Sequence, residues 1–242
     1  MKNAKKLIRY FSPLEWVLWG TSVALILVFY LLFDRSAPLT LAASLIGVTS
    51  LILCAKGNPL GQILMLAFSA IYGIVSFRLA YYGEVITYVG MTTPMALLAL
   101  ISWLRHPYKG NRAQVEVGRV GKKEWLLLLL PLTAFVTVLF YFVLRAFGTA
   151  NLPVSTLSVT TSFAAVYLTF RRSPYYALAY ATNDVVLIAL WIMEATRSLA
   201  ALSVVACFSA FLAHDIYGFA SWRRMEKLQK AAGAEKQEGK ER

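Results

Sequence analysis

The stretch "YALAYATNDVVLIALW", residues 176–191, carries an amide and a carboxylate side by side in the middle of an otherwise apolar segment. A carboxylate at the centre of a membrane helix costs roughly 2.5–3.5 kcal/mol, so it normally faces the interior of a helix bundle and has a partner or a function there. The stretch therefore predicts a transmembrane helix with a polar site at Asn183 and Asp184.

The rest of the chain has the composition of an integral membrane protein. Of its 242 residues, 59% are hydrophobic and 15% are charged, and the mean hydropathy is +0.61. A soluble domain is typically about half apolar and about a quarter charged. Because long uncharged runs recur from end to end, we expect one compact unit embedded in a membrane.

Eight apolar segments follow one another along the chain: 14–33, 38–55, 59–81, 84–104, 125–146, 153–170, 174–193 and 197–222. Most have about 18–23 residues, which is enough to cross a hydrocarbon core of ~30 Å. We interpret the first segment as an uncleaved anchor, because its apolar run is too long for a typical signal peptide.

Basic residues are distributed unequally between the two sides that eight spans define. Twenty of the 24 lysines and arginines fall on the side of both termini, many of them in the 105–124 loop and from Arg223 onward. This asymmetry predicts that both termini are cytoplasmic. It also accounts for the net charge of +12, which therefore does not indicate a nucleic-acid partner.

The sequence lacks the motifs of metal, disulfide and nucleotide chemistry. Cys54 and Cys207 lie inside apolar runs, and there is no HExxH sequence, phosphate-binding loop or dinucleotide fingerprint. We therefore expect no cofactor and no ATP hydrolysis. The core spans also lack paired carboxylates for a proton relay, which predicts passive transport.

Prolines and a short motif reveal an internal repeat. Pro38 and Pro59 are 21 residues apart, and Pro153 and Pro174 repeat this spacing at an offset of 115. The repeats end alike, in "SWLR" at 102–105 and "SWRR" at 221–224. This echo predicts two three-helix repeats joined by a single span. An odd linker span makes the repeats parallel, and such folds place a substrate site between the repeats near the midplane.

The chain therefore divides into five parts. They are an N-terminus with an extra transmembrane helix (1–37), a first three-helix repeat (38–104), a basic loop with a linker helix (105–152), a second three-helix repeat (153–224) and a charged tail (225–242). We expect the tail to be disordered beyond its first turn, because it has little apolar surface to bury.

One face of segment 174–193 combines aromatic rings with polar groups. Spacings of three and four residues align its members: Tyr176, Tyr180, Asp184, Leu187 and Trp191. Asn183 borders this face. Stacking surfaces with polar groups between them suit a flat heterocycle that carries a sugar. Trp191 lies nearer the outer interface, so membership of an aromatic belt is an equal alternative for it.

The first repeat has a matching polar face. Its members are Gln62, Met65, Ser69, Tyr72 and Ser76. At the repeat offset Ser69 corresponds to Asp184, although serine stripes in membrane helices more often serve helix packing. In segment 84–104, Thr87 and Thr92 precede Pro94, which predicts a kink whose freed carbonyl groups line a cavity.

Two further polar residues lie in the last segment. For His214 we expect a packed, hydrogen-bonded imidazole rather than a proton relay. Asp215 lies nearer the cytoplasmic end, where a pairing with a loop arginine and a functional role are equally good interpretations.

Four stretches resemble the PnuC-type vitamin transporters, which carry nicotinamide riboside and were formerly described as nicotinamide mononucleotide transporters. They are "GNPLGQILMLAFSAIYGIVSF" (57–77), "YYGEVITYVGMTTPM" (81–95), "SPYYALAYATNDVVLIALW" (173–191) and "HDIYGFASW" (214–222). The resemblance covers roughly residues 14–224. It implies facilitated diffusion of a vitamin or nucleoside across the inner membrane of a bacterium, trapping by a cytosolic kinase, and a homotrimer. It also implies an all-α, SWEET-like 3+1+3 core of seven helices, here with an additional N-terminal helix.

The resemblance and the polar faces together give nine candidate substrate-binding residues: Gln62, Ser69, Tyr72, Thr87, Thr92, Tyr180, Asn183, Asp184 and Trp191. Some members of the family carry two tryptophans three residues apart. Here Ile188 stands where the first of them would precede Trp191, so this chain has only the second tryptophan of that pattern.

The charge of the core spans narrows the substrate class. None has a basic residue in its central part, whereas a phosphate normally requires arginine, lysine or several helix N-termini. A nucleoside is therefore favoured over a nucleotide. Aromatic faces and Asp184 favour a cation such as a pyridinium riboside, but thiamine fits equally well, and related transporters carry riboflavin or deoxynucleosides. A membrane-embedded enzyme or a structural scaffold are the competing classes.

Overall fold

The computed structural model describes residues 10–78, 85–149 and 151–241. Within these ranges the chain forms eight long helices: α1 (Pro13–Phe33), α2 (Pro38–Ala55), α3 (Pro59–Arg78), α4 (Ile86–Arg105), α5 (Lys122–Ala146), α6 (Leu152–Phe170), α7 (Tyr175–Ala195) and α8 (Ala201–Glu241). Seven of them are long and apolar enough to cross a membrane, and α3 carries a shorter apolar run, Pro59–Ile74. The predicted ends of the third and fourth segments, at 79–84, lie outside the described residues.

Prolines in the first turn set where several of these helices begin. A proline there is tolerated because its missing N–H has no partner inside the helix. The prolines concerned are Pro13, Pro38, Pro59 and Pro153. Helix α1 also has a capping box, in which Ser12 N donates to Glu15 Oε2 at 2.6 Å and Glu15 N donates to Ser12 Oγ at 3.3 Å.

The two repeats, α2–α4 and α6–α8, pack against each other reciprocally. Helix α2 packs against α8 and α6 packs against α4, so the first helix of each repeat meets the third helix of the other. A two-fold axis along the membrane normal produces this exchange. Helix α5 packs on α6, and α1 packs on α2 and α8. The predicted 3+1+3 core with an additional N-terminal helix is confirmed.

Equivalent hydrogen bonds fasten the repeats together. Trp103 Nε1 donates to the carbonyl oxygen of Thr169 at 2.9 Å, and Trp222 Nε1 donates to that of Cys54 at 2.8 Å. The serine before each tryptophan donates to the next carbonyl along the same helix. These carbonyl groups lie in the last turns of α6 and α2, where a helix offers no partner of its own. Each "SW" pair thus caps a helix of the opposite repeat.

The additional helix α1 corresponds to the linker helix α5. Both have a Glu-Trp dipeptide in their first turn. Each glutamate pairs with the basic residue that directly follows the next helix. Lys56 Nζ lies 3.0 Å from Glu15 Oε2, and Arg171 Nη2 lies 2.8 Å from Glu124 Oε2. Because Glu124 is part of the helix, α5 begins at Lys122, three residues before the predicted start.

The basic loop contains a small hairpin that the sequence did not predict. Strand β1 (Pro107–Tyr108) pairs antiparallel with β2 (Asn111–Val115). Lys109 and Gly110 connect them with φ angles of 49° and 77°. Two consecutive positive φ angles are the backbone of a type I′ turn, whose twist suits a two-residue hairpin.

The prediction of a disordered tail was wrong, because α8 continues through residues 225–241. The hairpin gives the tail a surface to cover: Gln229 Nε2 donates to the Val115 carbonyl oxygen at 3.1 Å, and Val117 N donates to Gln229 Oε1 at 2.8 Å. Met225 and Val115 are both buried in this contact region. A long-range partner, rather than local composition, therefore orders the start of the tail.

Candidate functional site

A cavity of about 300 Å³ lies between the two repeats. This volume is at the lower end of the range for small-molecule sites. Seven of the nine predicted residues line it: Tyr72, Thr87, Thr92, Tyr180, Asn183, Asp184 and Trp191. The fold thus brings together residues from both polar faces and from the segment before Pro94.

The other two predicted residues, Gln62 and Ser69, hold helices together instead of lining the cavity. Ser69 Oγ lies 2.8 Å from Thr93 Oγ1 and donates to the Tyr88 carbonyl oxygen at 3.2 Å. Gln62 Nε2 donates to Cys54 Sγ at 3.3 Å. Both side chains are buried among protein atoms, so the packing interpretation applies to them and we leave them out of the site.

The segment before Pro94 forms a wider, π-helical turn, Ile86–Thr92. Proline cannot donate a hydrogen bond to the preceding turn, and single π-helical turns are a common accommodation at functional sites. Threonine hydroxyls supply additional donors: Thr92 Oγ1 to the Thr87 carbonyl oxygen at 3.2 Å, and Thr93 Oγ1 to that of Tyr88 at 2.8 Å. The widened turn places Thr87, Tyr88 and Thr92 on the cavity wall.

Two hydroxyl groups of α6 orient the amide of Asn183. Thr161 Oγ1 and Ser158 Oγ donate to its Oδ1 atom at 2.9 Å and 3.2 Å. With Oδ1 accepting from α6, the remaining hydrogen-bonding group of the amide is its NH₂, which is a donor. Asn183 is buried and lines the cavity, so it is placed to donate to a ligand oxygen.

Aromatic rings form one wall of the cavity. Tyr72 and Tyr88 are 4.6 Å apart between ring centroids, and Phe68 lies 5.6 Å from Tyr72 and 5.8 Å from Phe211. Trp191 lines the cavity from the other repeat. Phe68, Tyr88 and Phe211 were not predicted as site residues. Phe68 and Phe211 have no polar group that would distinguish them from ordinary membrane-helix residues, and Tyr88 is placed on the cavity wall by the π-helical turn. Together these rings provide faces on which a flat heterocycle can stack.

Asp184 and Asp215 meet at one end of the cavity. Both side chains line the cavity and both are buried. The expectation that the core lacks paired carboxylates was wrong: each helix carries one, and the packing of α7 on α8 brings the two together. Asp215 therefore faces the cavity and Asp184 rather than an arginine of the loop.

His214, the neighbour of Asp215, points away from the cavity toward α1. Its Nε2 atom lies 3.2 Å from Ser22 Oγ, and the imidazole is buried. This agrees with a packed, hydrogen-bonded imidazole. Beyond the two aspartates, Trp103, Trp222 and Tyr176 fill the interior and are at most 3% exposed.

The opposite end of the cavity reaches the connection between α5 and α6. Phe147, Asn151 and Glu194 contribute to the lining there. Among the described lining residues, three are acidic and none is a lysine or an arginine. The arrangement is therefore suited to a flat, uncharged or cationic molecule, and it offers no basic partner to a phosphate.

Comparisons with known proteins agree on one family. The model of the nicotinamide mononucleotide transporter family matches residues 37–224. A nicotinamide riboside transporter PnuC of Neisseria mucosa is 22% identical over 200 residues, covering 81% of this chain and 75% of that protein. One of Haemophilus influenzae is 20% identical over 189 residues, covering 78% and 80%.

A solved structure shares the fold. The crystal structure of the vitamin B3 transporter PnuC superposes with a TM-score of 0.77 at 19% identity, covering 90% of this chain and 94% of that one. At this identity the likeness concerns the arrangement of the helices.

Proposed function

Because the chain belongs to the nicotinamide mononucleotide transporter family, we propose that it carries nicotinamide riboside into the cytoplasm by facilitated diffusion. The protein is a multi-pass membrane transporter and not an enzyme. The proposed substrate is the one named for both relatives. A cytosolic kinase that phosphorylates the riboside would keep it inside the cell.

The observation that carries this proposal is the chemistry of the cavity. Nicotinamide riboside is a flat pyridinium cation with a ribose. The ring can stack on Tyr72 and Trp191, and its charge is favoured by aromatic faces and by Asp184. Asn183 and Thr92 offer polar groups for the carboxamide and the ribose hydroxyls.

Thiamine is the second candidate, since it is also a flat cation and the acidic end of the cavity favours it equally. Riboflavin and deoxynucleosides are neutral, so for them the two aspartates offer no charge attraction. Reconstitution into liposomes tests the proposal, with uptake measured for each of these compounds. We expect saturable flux of nicotinamide riboside without ATP or a sodium gradient; absence of saturable flux for every compound would contradict a transport function.

We further propose that the protein lies in the inner membrane with both termini in the cytoplasm, as the distribution of basic residues favours, and that it assembles as a homotrimer, as the family resemblance implies. In this orientation the cavity end at Phe147 and Glu194 faces outward, and the tryptophans of the "SW" pairs lie on the cytoplasmic side.

Cysteine labelling tests the orientation. A cysteine at Lys109 in the hairpin turn should react with a membrane-impermeant maleimide only after the cells are opened. A cysteine at Arg197, in the exposed connection between α7 and α8, should react in intact cells. Background labelling should be low, because Cys54 and Cys207 are both buried. The reverse pattern would invert the assigned topology.

Asn183→Leu should weaken nicotinamide riboside binding roughly 5- to 150-fold. The variant leaves a buried ligand oxygen without its donor, which costs ~1–3 kcal/mol. Membrane insertion should not suffer, because leucine is more favourable in lipid than asparagine. Calorimetry on purified protein gives the dissociation constant.

Thr182→Leu is the matched control for Asn183→Leu, since Thr182 is the preceding residue but is exposed on the outer face of α7. It should bind like the parent. Equal affinities for all three proteins would assign Asn183 a packing role through Ser158 and Thr161.

A further inference from the structure

The two aspartates of the cavity are close together in an environment that isolates them from water. Asp184 on α7 is 3% exposed and Asp215 on α8 is 4% exposed, and both side chains line the same cavity. A hydrogen bond between two carboxyl groups requires a proton on one of them, because two carboxylates have only acceptors. One bound proton would therefore turn a repulsive contact between two carboxylates into a hydrogen bond.

No positive charge near the pair replaces this proton. Neither aspartate takes part in an ion pair among the described residues. The titratable groups that face the pair are Tyr176 and Tyr180 from α7, Cys54 from α2, and Cys207 from α8. The Gln62 amide of α3 is hydrogen-bonded to Cys54, and His214 of α8 is turned toward Ser22. Tyrosine and cysteine are ordinarily neutral near pH 7.

One oxygen of the pair is unsatisfied. Within the described part of the chain, Asp184 Oδ2 has no hydrogen-bond partner, although it is buried and Asp184 lines the cavity. A buried acceptor without a partner is costly and often marks a place that a ligand fills. Two unprotonated carboxylates at this distance would add their mutual repulsion to the cost of burying two unpaired charges.

We propose that Asp184 and Asp215 hold one proton between them, and that a cationic substrate displaces this proton when it enters the cavity. The cation then supplies the positive charge that the proton supplied before, so the net charge of the buried site is unchanged. When the substrate leaves, the pair takes up a proton again. This inference deepens the proposed function and rests on it.

Proton release on binding is the direct test. Calorimetric titrations of purified protein with nicotinamide riboside, in buffers of different ionisation enthalpy, should show about one proton released per molecule bound. Because release is opposed by free protons, affinity should fall as the medium is acidified, by up to about tenfold for each pH unit while the pair stays protonated. A deoxynucleoside that binds should release none.

The outcomes separate the two hypotheses. Binding of nicotinamide riboside without proton release, and with a dissociation constant independent of pH, overturns the inference and leaves the proposed function intact. If nicotinamide riboside does not bind but thiamine binds and releases a proton, the proposed substrate is wrong and the inference stands. If no cation binds, both are wrong.

Variants assign the proton to the pair. Asp184→Asn and Asp215→Asn each leave one carboxyl beside an amide that can donate to it, so proton release and the pH dependence should be lost in both. Asp34→Asn is the matched control, because Asp34 accepts from Ser203 at 3.4 Å outside the described lining of the cavity; it should release protons like the parent. If the site variants fail to fold, infrared difference spectra of the parent decide: the band of a protonated carboxyl should disappear on binding, and its persistence contradicts the proposal.

Discussion

Trp222→Ala and Trp103→Ala should each lower the free energy of unfolding by roughly 3–5 kcal/mol, the cost of truncating a fully buried tryptophan. Both rings are 0% exposed, and their centroids lie 5.3 Å apart at the contact between the repeats. Each variant also leaves a helix-terminal carbonyl, of Cys54 or of Thr169, without its indole donor. Because the two sites are related by the repeat, the two losses should be similar.

Thermal unfolding in detergent, followed by the recovery of monodisperse protein, measures these losses. Trp16→Ala is the matched control, since Trp16 is 37% exposed and its indole N–H donates no hydrogen bond among the described residues; its midpoint should lie close to that of the parent. Trp222→Phe should fall between, because it keeps most of the ring volume and loses only the N–H donor. If Trp222→Ala has the same unfolding midpoint as the Trp16→Ala control, the contact made by the "SW" pair does not stabilise the packing of the two repeats.

Much of the fold could be predicted because it depends on features of short stretches of sequence. Long apolar runs report on membrane spans wherever they occur, and a proline marks a first helical turn regardless of what packs on it. The repeat was visible because the same contact is made twice: Trp103 and Trp222 cap equivalent carbonyl groups, so the sequence carries the same dipeptide at both places.

The parts that escaped prediction depend on contacts between distant segments. Residues 225–241 are polar enough to be disordered alone, and what orders their start is the edge formed by Val115 and Val117. The hairpin in turn has only short strands with little alternation of polarity. Neither segment indicates the other, so composition alone gave the wrong state for the tail.

The site residues also divide into those that a local pattern identifies and those that depend on helix packing. Asn183 and Asp184 could be identified because a polar pair at the centre of a membrane helix is costly wherever it points. Asp215 could not be assigned, since its partner depends on the packing of α8 against α7. For Ser69 the prediction failed. The repeat offset makes Ser69 the counterpart of Asp184, but its hydroxyl group holds α3 against the π-helical turn. The spacing of residues along a helix predicts which side of the helix is buried. Whether a cavity or a neighbouring helix lies on that side depends on how the helices pack.

The family description names nicotinamide mononucleotide, whereas both relatives are named for nicotinamide riboside. The two compounds differ by one phosphate group, and the residues that line the cavity favour the compound without it. A mononucleotide would bring a charged phosphate toward Asp184, Asp215 or Glu194, and no lysine or arginine stands among the described lining residues. Helix N-termini are the other common phosphate partners, but one end of the cavity is formed by the middle of α7 and by α8 well inside its span. At the other end Asn151, the N-cap residue of α6, lines the cavity together with the acidic Glu194. The phosphate would thus be desolvated near like charges.

Nicotinamide mononucleotide should therefore bind at least about 100-fold more weakly than nicotinamide riboside. Leaving a charge buried without a counter-ion costs roughly 3–5 kcal/mol, and ~3 kcal/mol already corresponds to more than a hundredfold in the dissociation constant. Competition against radiolabelled nicotinamide riboside, with the mononucleotide kept free of phosphatase, measures the ratio. Nicotinamide alone is the control for the ring, because it tests how much affinity the riboside portion adds. Comparable competition by the mononucleotide and the riboside would mean that the cavity between the repeats does not select by charge, and the substrate would then be the one in the family description.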